Sequence, residues 1–112
     1  MSNIPGTSVE EKMRALRTRF IGQLRERLDR LKQLRKQSSE NRLGEAERSE
    51  IKFLAHKCSG SGSTFGFPTI SQAGRALEEV LINRPNIPST QLLPYLDTLI
   101  SECKDALKQA MH

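Results

Sequence analysis

The chain has 112 residues, 36% of them hydrophobic and 4% aromatic, enough for one domain with one core and too few for a nucleotide-binding catalytic domain beside it. No apolar run is long enough to cross a bilayer, and the opening MSNIPGTSVEEK lacks the charged start and apolar middle of a signal peptide. The expectation is therefore a cytoplasmic protein with no membrane role. Eighteen Lys and Arg against 13 Asp and Glu give a formal charge of +5, which suits acidic partners of any kind, whether nucleic acid, lipid headgroup or protein surface. The two cysteines, Cys58 and Cys103, are far apart and outside any C-x-x-C arrangement, so they read as small apolar core residues rather than a disulfide or a zinc site.

Residues 1–7 are expected to be a flexible N-terminal segment of this one domain. From residue 9 to residue 37 there is no proline, and Val9, Met13, Leu16, Phe20, Leu24, Leu28, Leu31 and Leu34 recur in steps of three or four, which predicts a long amphipathic helix. Ser8, followed by Glu10 and Glu11, suits its start. The polar stretch 38–49 holds Gly44 and reads as a turn into a second helix, predicted from about Glu45 to about Phe65, where Gly66 stops it. Pro68 fits the first turn of a third helix, with Ile70, Ala73, Leu77 and Leu81 as its stripe, ending before Pro85. The last helix carries Leu92, Leu96, Leu99, Cys103, Leu107 and Ala110, and Pro94 leaves two alternatives for its start, near Ser89 or closer to Leu93.

No segment alternates with a period of two, and four amphipathic helices with short connections predict an all-α fold, an antiparallel four-helix bundle. Its core is expected to be mostly Leu, Ile, Val and Ala. The run Ser59–Ser63 holds Gly60 and Gly62 inside the second helix, where each costs about 1 kcal/mol relative to Ala, so another requirement must hold small residues there.

On a helical wheel with His56 at zero, Leu54, Phe65, Cys58 and Ile51 fall at about 160°, 180°, 200° and 220° and define a buried side. His56 then faces solvent, with Ser49, Lys52, Phe53, Ser59, Gly60 and Ser63 within about 60° of it. Gly60 clears room for a bulky group to approach the imidazole, and Phe53 adds exposed apolar surface for docking a protein. A lone exposed histidine is ordinarily just a solvated residue, so position alone does not make a site.

The run His56-Lys-Cys-Ser-Gly60-Ser61-Gly-Ser-Thr-Phe-Gly66, with Phe67-Pro68 and Arg75-Ala76-Leu77-Glu78 beyond it, resembles the signature of histidine-containing phosphotransfer (Hpt) domains, His-x-x-Lys-Gly-Ser followed by small residues and glycine. The resemblance implies that His56 is the phosphorylated histidine, that Gly60 is the small residue admitting a partner, and that Glu78 stands at the position, often Gln, that hydrogen-bonds the imidazole. Ser59 stands where the family usually has a lysine that balances phosphoryl charge, and Lys52 and Lys57 are the nearby cations able to supply part of that field. The implied function is a phosphorelay intermediate of two-component signalling, a carrier and not a kinase. Its partners would be the aspartate-bearing receiver domains of response regulators or hybrid histidine kinases. It needs no cofactor of its own, and Mg²⁺ is expected on the receiver.

A neutral imidazole has one ring nitrogen with a free lone pair, expected here to be Nε2, and Glu78 accepting from Nδ1–H would fix that tautomer. Arg75, Ser61 and Ser63 read more simply as solvated or small packing residues than as participants in transfer. Two other classes stand beside this one. Ten basic residues between Lys12 and Lys36 invite a nucleic-acid reading, but Glu10, Glu11, Glu26 and Asp29 interrupt them and no aromatics interleave, so nucleic acid is not an expected partner. Heptad spacing of Ile21, Leu24, Leu28 and Leu31 leaves a helical adaptor or scaffold without phosphotransfer as the main alternative.

Overall fold

The computed structural model describes residues 5–110. Helix α1 spans Pro5–Ser39, α2 Glu45–Ser61, α3 Pro68–Asn83 and α4 Leu93–Ala110, with short 3₁₀ turns at Ser63–Phe65 and Ser89–Leu92. The described residues contain no strand. The four helices form the expected antiparallel bundle: α2 packs most extensively on α3, α1 on α4, α3 on α4, and α1 also borders α2.

Several boundaries differ from the sequence reading. Helix α1 starts at Pro5, so residues 5–7 are helical and Ser8 lies inside the helix; residues 1–4 fall outside the described residues. Proline suits this first-turn position because its missing N–H would have no intrahelical partner. The helix ends where Asn41 takes a left-handed φ of 56°, a conformation asparagine tolerates, and the Arg42 N–H closes back on the Gln37 carbonyl at 2.8 Å. Helix α2 starts after Gly44, whose N–H donates to Glu47 Oε1 at 2.9 Å, and Glu45 and Glu47 sit favourably in its first turn.

Helix α2 stops at Ser61 rather than Phe65. The chain tightens into the 3₁₀ turn, Gly66 takes a φ of 89°, and the Phe67 N–H donates to the Gly62 carbonyl at 2.8 Å. Gly62 has to be small: a Cβ there would lie 2.8 Å from both the Phe67 carbonyl oxygen and the Ser71 N. Pro68 opens α3 as expected. The start of α4 divides between the two sequence alternatives, with the 3₁₀ turn from Ser89 and the α-helix from Leu93.

The core is mainly aliphatic, built on Leu24, Leu31, Leu34, Ile51, Ile70, Leu77, Leu92, Leu96 and Leu99. Phe20 closes one end, stacked on Phe65 at 4.6 Å and Phe67 at 6.0 Å between ring centroids, with the Arg17 guanidinium 5.6 Å from the Phe67 ring. Cys58 and Cys103 are free thiols with no exposed surface. The neighbouring Cys58 thiol, together with burial, pushes the Cys103 thiol far above its ordinary range, which makes it a poor nucleophile.

Polar ties pin the bundle along the C-terminal half of α1 and the α3–α4 connection. Arg30 holds Glu50 through two hydrogen bonds of 2.6 and 2.7 Å, joining α1 to α2. Arg35 pairs with Asp97 on α4. The buried Ser38 hydroxyl donates to the Ser89 carbonyl, and Arg48 Nη1 donates to the Ile87 carbonyl at 2.6 Å, fastening the α3–α4 connection.

Helix α1, at 35 residues, is about twice as long as its partners of 16 to 18 residues. At about 1.5 Å per residue it runs roughly 52 Å against 24 to 27 Å, and the molecule is accordingly a rod of 61 × 26 × 21 Å. Its stripe is buried only from Phe20 onward, while Val9, Met13 and Leu16 remain 60%, 53% and 45% exposed. The periodicity that continues through them is therefore not covered by this bundle.

Candidate functional site

Helix α2 carries His56, and its buried positions, Ile51, Ala55 and Cys58, centre at about 227° from His56 on the wheel rather than about 190°. Leu54 is only half-buried, and Ala55, absent from the expected buried set, is fully buried. The rotation has a local cause in α3. Gly74 lies so close to α2 that a Cβ on it would sit 2.7 Å from the Ala55 carbonyl oxygen and 2.8 Å from the Ser59 N. The two backbones therefore run close together beside the His56 turn, and Glu78, one turn along from Gly74, comes within reach of the imidazole.

His56 Nδ1 lies 2.8 Å from Glu78 Oε2. The histidine side chain is 71% exposed, while the carboxylate is 20% exposed. With Glu78 ionised, Nδ1 is the donor and the lone pair of the neutral ring is on Nε2. The two residues share a shallow cavity of about 450 Å³ with Ser49, Lys52 and Phe53. Phe53 is 57% exposed, and the Lys57 ammonium rests 4.9 Å from its ring centroid.

Not every residue singled out in the sequence joins this cavity. Gly60 is exposed, one turn beyond His56, and a Cβ on it would meet nothing within 4 Å outside its own helix backbone. Ser59 is half-buried against α3 near Gly74. Ser63 lies in the 3₁₀ turn rather than on the helix, so the wheel position assigned to it does not apply; its N–H donates to the Ser71 hydroxyl at 2.7 Å. Phe65 leaves the helix at the same point and stacks on Phe20 instead. Ser61 Oγ donates to the Lys57 carbonyl at 2.7 Å and accepts from Arg27 at 3.3 Å, and Arg75 is exposed on α3. The residue missed in the sequence is Gly74. Its signal was a helix-disfavouring glycine retained inside an apolar stripe, between Ala73 and Leu77.

Nothing in this arrangement resembles a metal centre: among the described residues no group of three or more His, Cys, Asp or Glu is placed to hold an ion. The cavity offers instead one imidazole, oriented through one nitrogen and accessible at its edge, on a helical surface. The family model for the Hpt domain matches residues 15–111. The chain belongs to the Hpt domain family. That membership ties it to phosphotransfer in two-component signalling, and the described residues of this Hpt domain form a helical unit without a kinase fold. Comparison with curated proteins and with solved structures returned no match. No helix among the described residues is long and apolar enough to cross a membrane.

Proposed function

We propose that this Hpt domain is a phosphorelay intermediate that accepts a phosphoryl group on His56 and exchanges it with the aspartate of receiver domains. The observation that carries the reading is the 2.8 Å contact between Nδ1 and Glu78 on an otherwise exposed ring. Nε2 attacks the phosphorus of an aspartyl phosphate; the N–P bond forms, the P–O bond to the aspartate breaks, and the carboxylate leaves with the electron pair. The Nδ1 proton stays on the ring, and Glu78 stabilises the positive charge that develops there. Reversal of the same step returns the group to a receiver.

Gly60 leaves the approach beyond His56 unobstructed, and the exposed Phe53 gives a docking partner apolar surface. The partners in this reading are response regulators or hybrid histidine kinases in the cytoplasm. Mg²⁺ belongs to the receiver, where it offsets charge on the phosphoryl oxygens, and the net positive charge of this chain favours encounters with an acidic pocket.

The test is incubation with phosphorylated receiver domains, scoring acid-labile, base-stable label on the intact protein and on His56→Gln. Label that disappears in the variant is the expected result. An intact protein left unlabelled by several competent donors favours the second reading, a helical adaptor without phosphotransfer, which the uncovered Val9, Met13 and Leu16 stripe on α1 would serve.

A further inference from the structure

We infer that Lys52 is the positioning cation of this site, the side chain that balances the phosphoryl group at His56 and orients it for transfer. The inference rests on the phosphocarrier reading and names the residue that makes it electrostatically workable. A phosphoryl group brings between about one and a half and two negative charges near neutral pH. On Nε2 it would share one imidazole with the Glu78 carboxylate, already 2.8 Å from Nδ1. The positive charge that develops on the ring offsets part of their repulsion, and a cation on the phosphoryl side of the cavity offsets more of it.

Four cations lie on or near this face, and of these Lys52 alone lines the cavity. Arg48 is committed to the α3–α4 connection, donating to the Ile87 and Pro85 carbonyls and to the Ser89 hydroxyl at 2.6, 3.3 and 3.3 Å. Lys57 lies about 100° round the helix from His56, and its ammonium is drawn to the Phe53 ring. Arg75 is exposed on α3 and does not line the cavity. Lys52 does line it, together with His56, Glu78, Phe53 and Ser49.

Helix geometry favours the same residue. Side chains on an α-helix lean toward its N-terminus, so the imidazole of His56 lies over the turn that holds Lys52 and Phe53, not over Ser59 and Gly60. Lys52 therefore stands on the cavity wall beside the imidazole; because its own stem leans the same way, its ammonium reaches Nε2 by folding that long stem back. Lys52 also lines the adjoining cavity of about 460 Å³ with Leu43, Leu81 and Asn86. Its side chain is exposed, and a lysine stem has the rotatable bonds to turn toward phosphoryl oxygens on His56.

The experiment uses two probes that need no protein partner. The first is phosphoramidate, a small phosphoryl donor: Nε2 forms the N–P bond, the donor's P–N bond breaks, and ammonia leaves with the electron pair. Label on His56 is timed in the intact protein and in Lys52→Gln, Lys52→Arg and Lys57→Gln. The second is inorganic phosphate, titrated while the ring-nitrogen resonances of His56 are followed by NMR.

Lys52→Gln should label about three- to tenfold more slowly, the loss expected for one partly screened charge pair, and the deficit should shrink with added salt. Lys52→Arg should restore the rate, Lys57→Gln should stay within about twofold of the intact protein, and Lys52→Gln should lose the phosphate-induced ring shift. Normal labelling and normal phosphate shifts in Lys52→Gln would overturn the inference and leave the carrier reading standing. Equal slowing in Lys52→Gln and Lys52→Arg would also overturn it, by showing that shape rather than charge matters. A Lys52-dependent phosphate shift in a protein that takes no label from any donor would keep the cation and remove the carrier reading.

Discussion

The two halves of α1 carry the same apolar periodicity and meet opposite fates. From Phe20 to Leu34 the stripe is buried in the bundle, chiefly against α4 and α2, whereas Val9, Met13 and Leu16 continue it into solvent. Spacing identifies a face able to pack; only the length of the neighbouring helices determines whether it does. The same contrast separates two glycines near the site. Gly74 is pressed against the α2 backbone, while a methyl group on Gly60 would meet nothing within 4 Å on that residue's exposed side.

The largest expected effect breaks the first contrast. Leu31→Ala should lower unfolding stability by about 2–5 kcal/mol, the cost of an enclosed leucine cavity, read from urea denaturation. Next comes the second contrast: Gly74→Ala should cost about 1–3 kcal/mol because its new methyl meets backbone rather than a movable side chain. It should also separate His56 from Glu78, visible as altered ring-nitrogen shifts of His56. Gly60→Ala should instead be neutral or stabilising by up to about 1 kcal/mol. Native stability and native His56 shifts in Gly74→Ala would show that the close approach does not position the site.

A smaller effect concerns the tie that anchors the enclosed half of α1. The Arg30 guanidinium beside Glu50 holds its carboxyl below the usual carboxylate range. A lowered folded-state value means that the ionised form favours folding, so the contribution is present above the ordinary carboxylate range and is lost as pH falls through the lowered value. Since both side chains are partly exposed, Glu50→Gln should cost no more than about 1 kcal/mol at neutral pH, with the difference vanishing in acid. Smallest of all, Met13→Ala should change stability by no more than about 0.5 kcal/mol, because its side chain is largely in water already. A loss comparable to that of Leu31→Ala would mean that the projecting half of α1 is covered in solution.

Much of this was legible in the sequence because helical periodicity is local. The four stripes, the turns at Gly44 and Pro68, and the outward placement of His56 needed only spacing and caps. The pairing of His56 with Glu78 was not in the spacing; it came from family resemblance, since residues on two different helices meet only once the packing is known. The end of α2 was misplaced for a related reason. Residues 62–65 are compatible with helix, and the close contact of Gly62 with Phe67 and Ser71 that favours the tighter turn is tertiary. Gly74 was overlooked because a single glycine in a stripe does not reveal what lies opposite. The exposure of Val9, Met13 and Leu16 likewise depends on where α2, α3 and α4 end.

The most direct test of His56 as the carrier is to locate the phosphate atom by atom. Phosphorylated protein, with its histidine ring nitrogens labelled, is examined by correlating phosphorus with the ring protons and nitrogens of His56. A phosphoryl group on Nε2, with the Nδ1 proton retained toward Glu78, is the expected result. Phosphate on Nδ1, or on any residue other than His56, would contradict it.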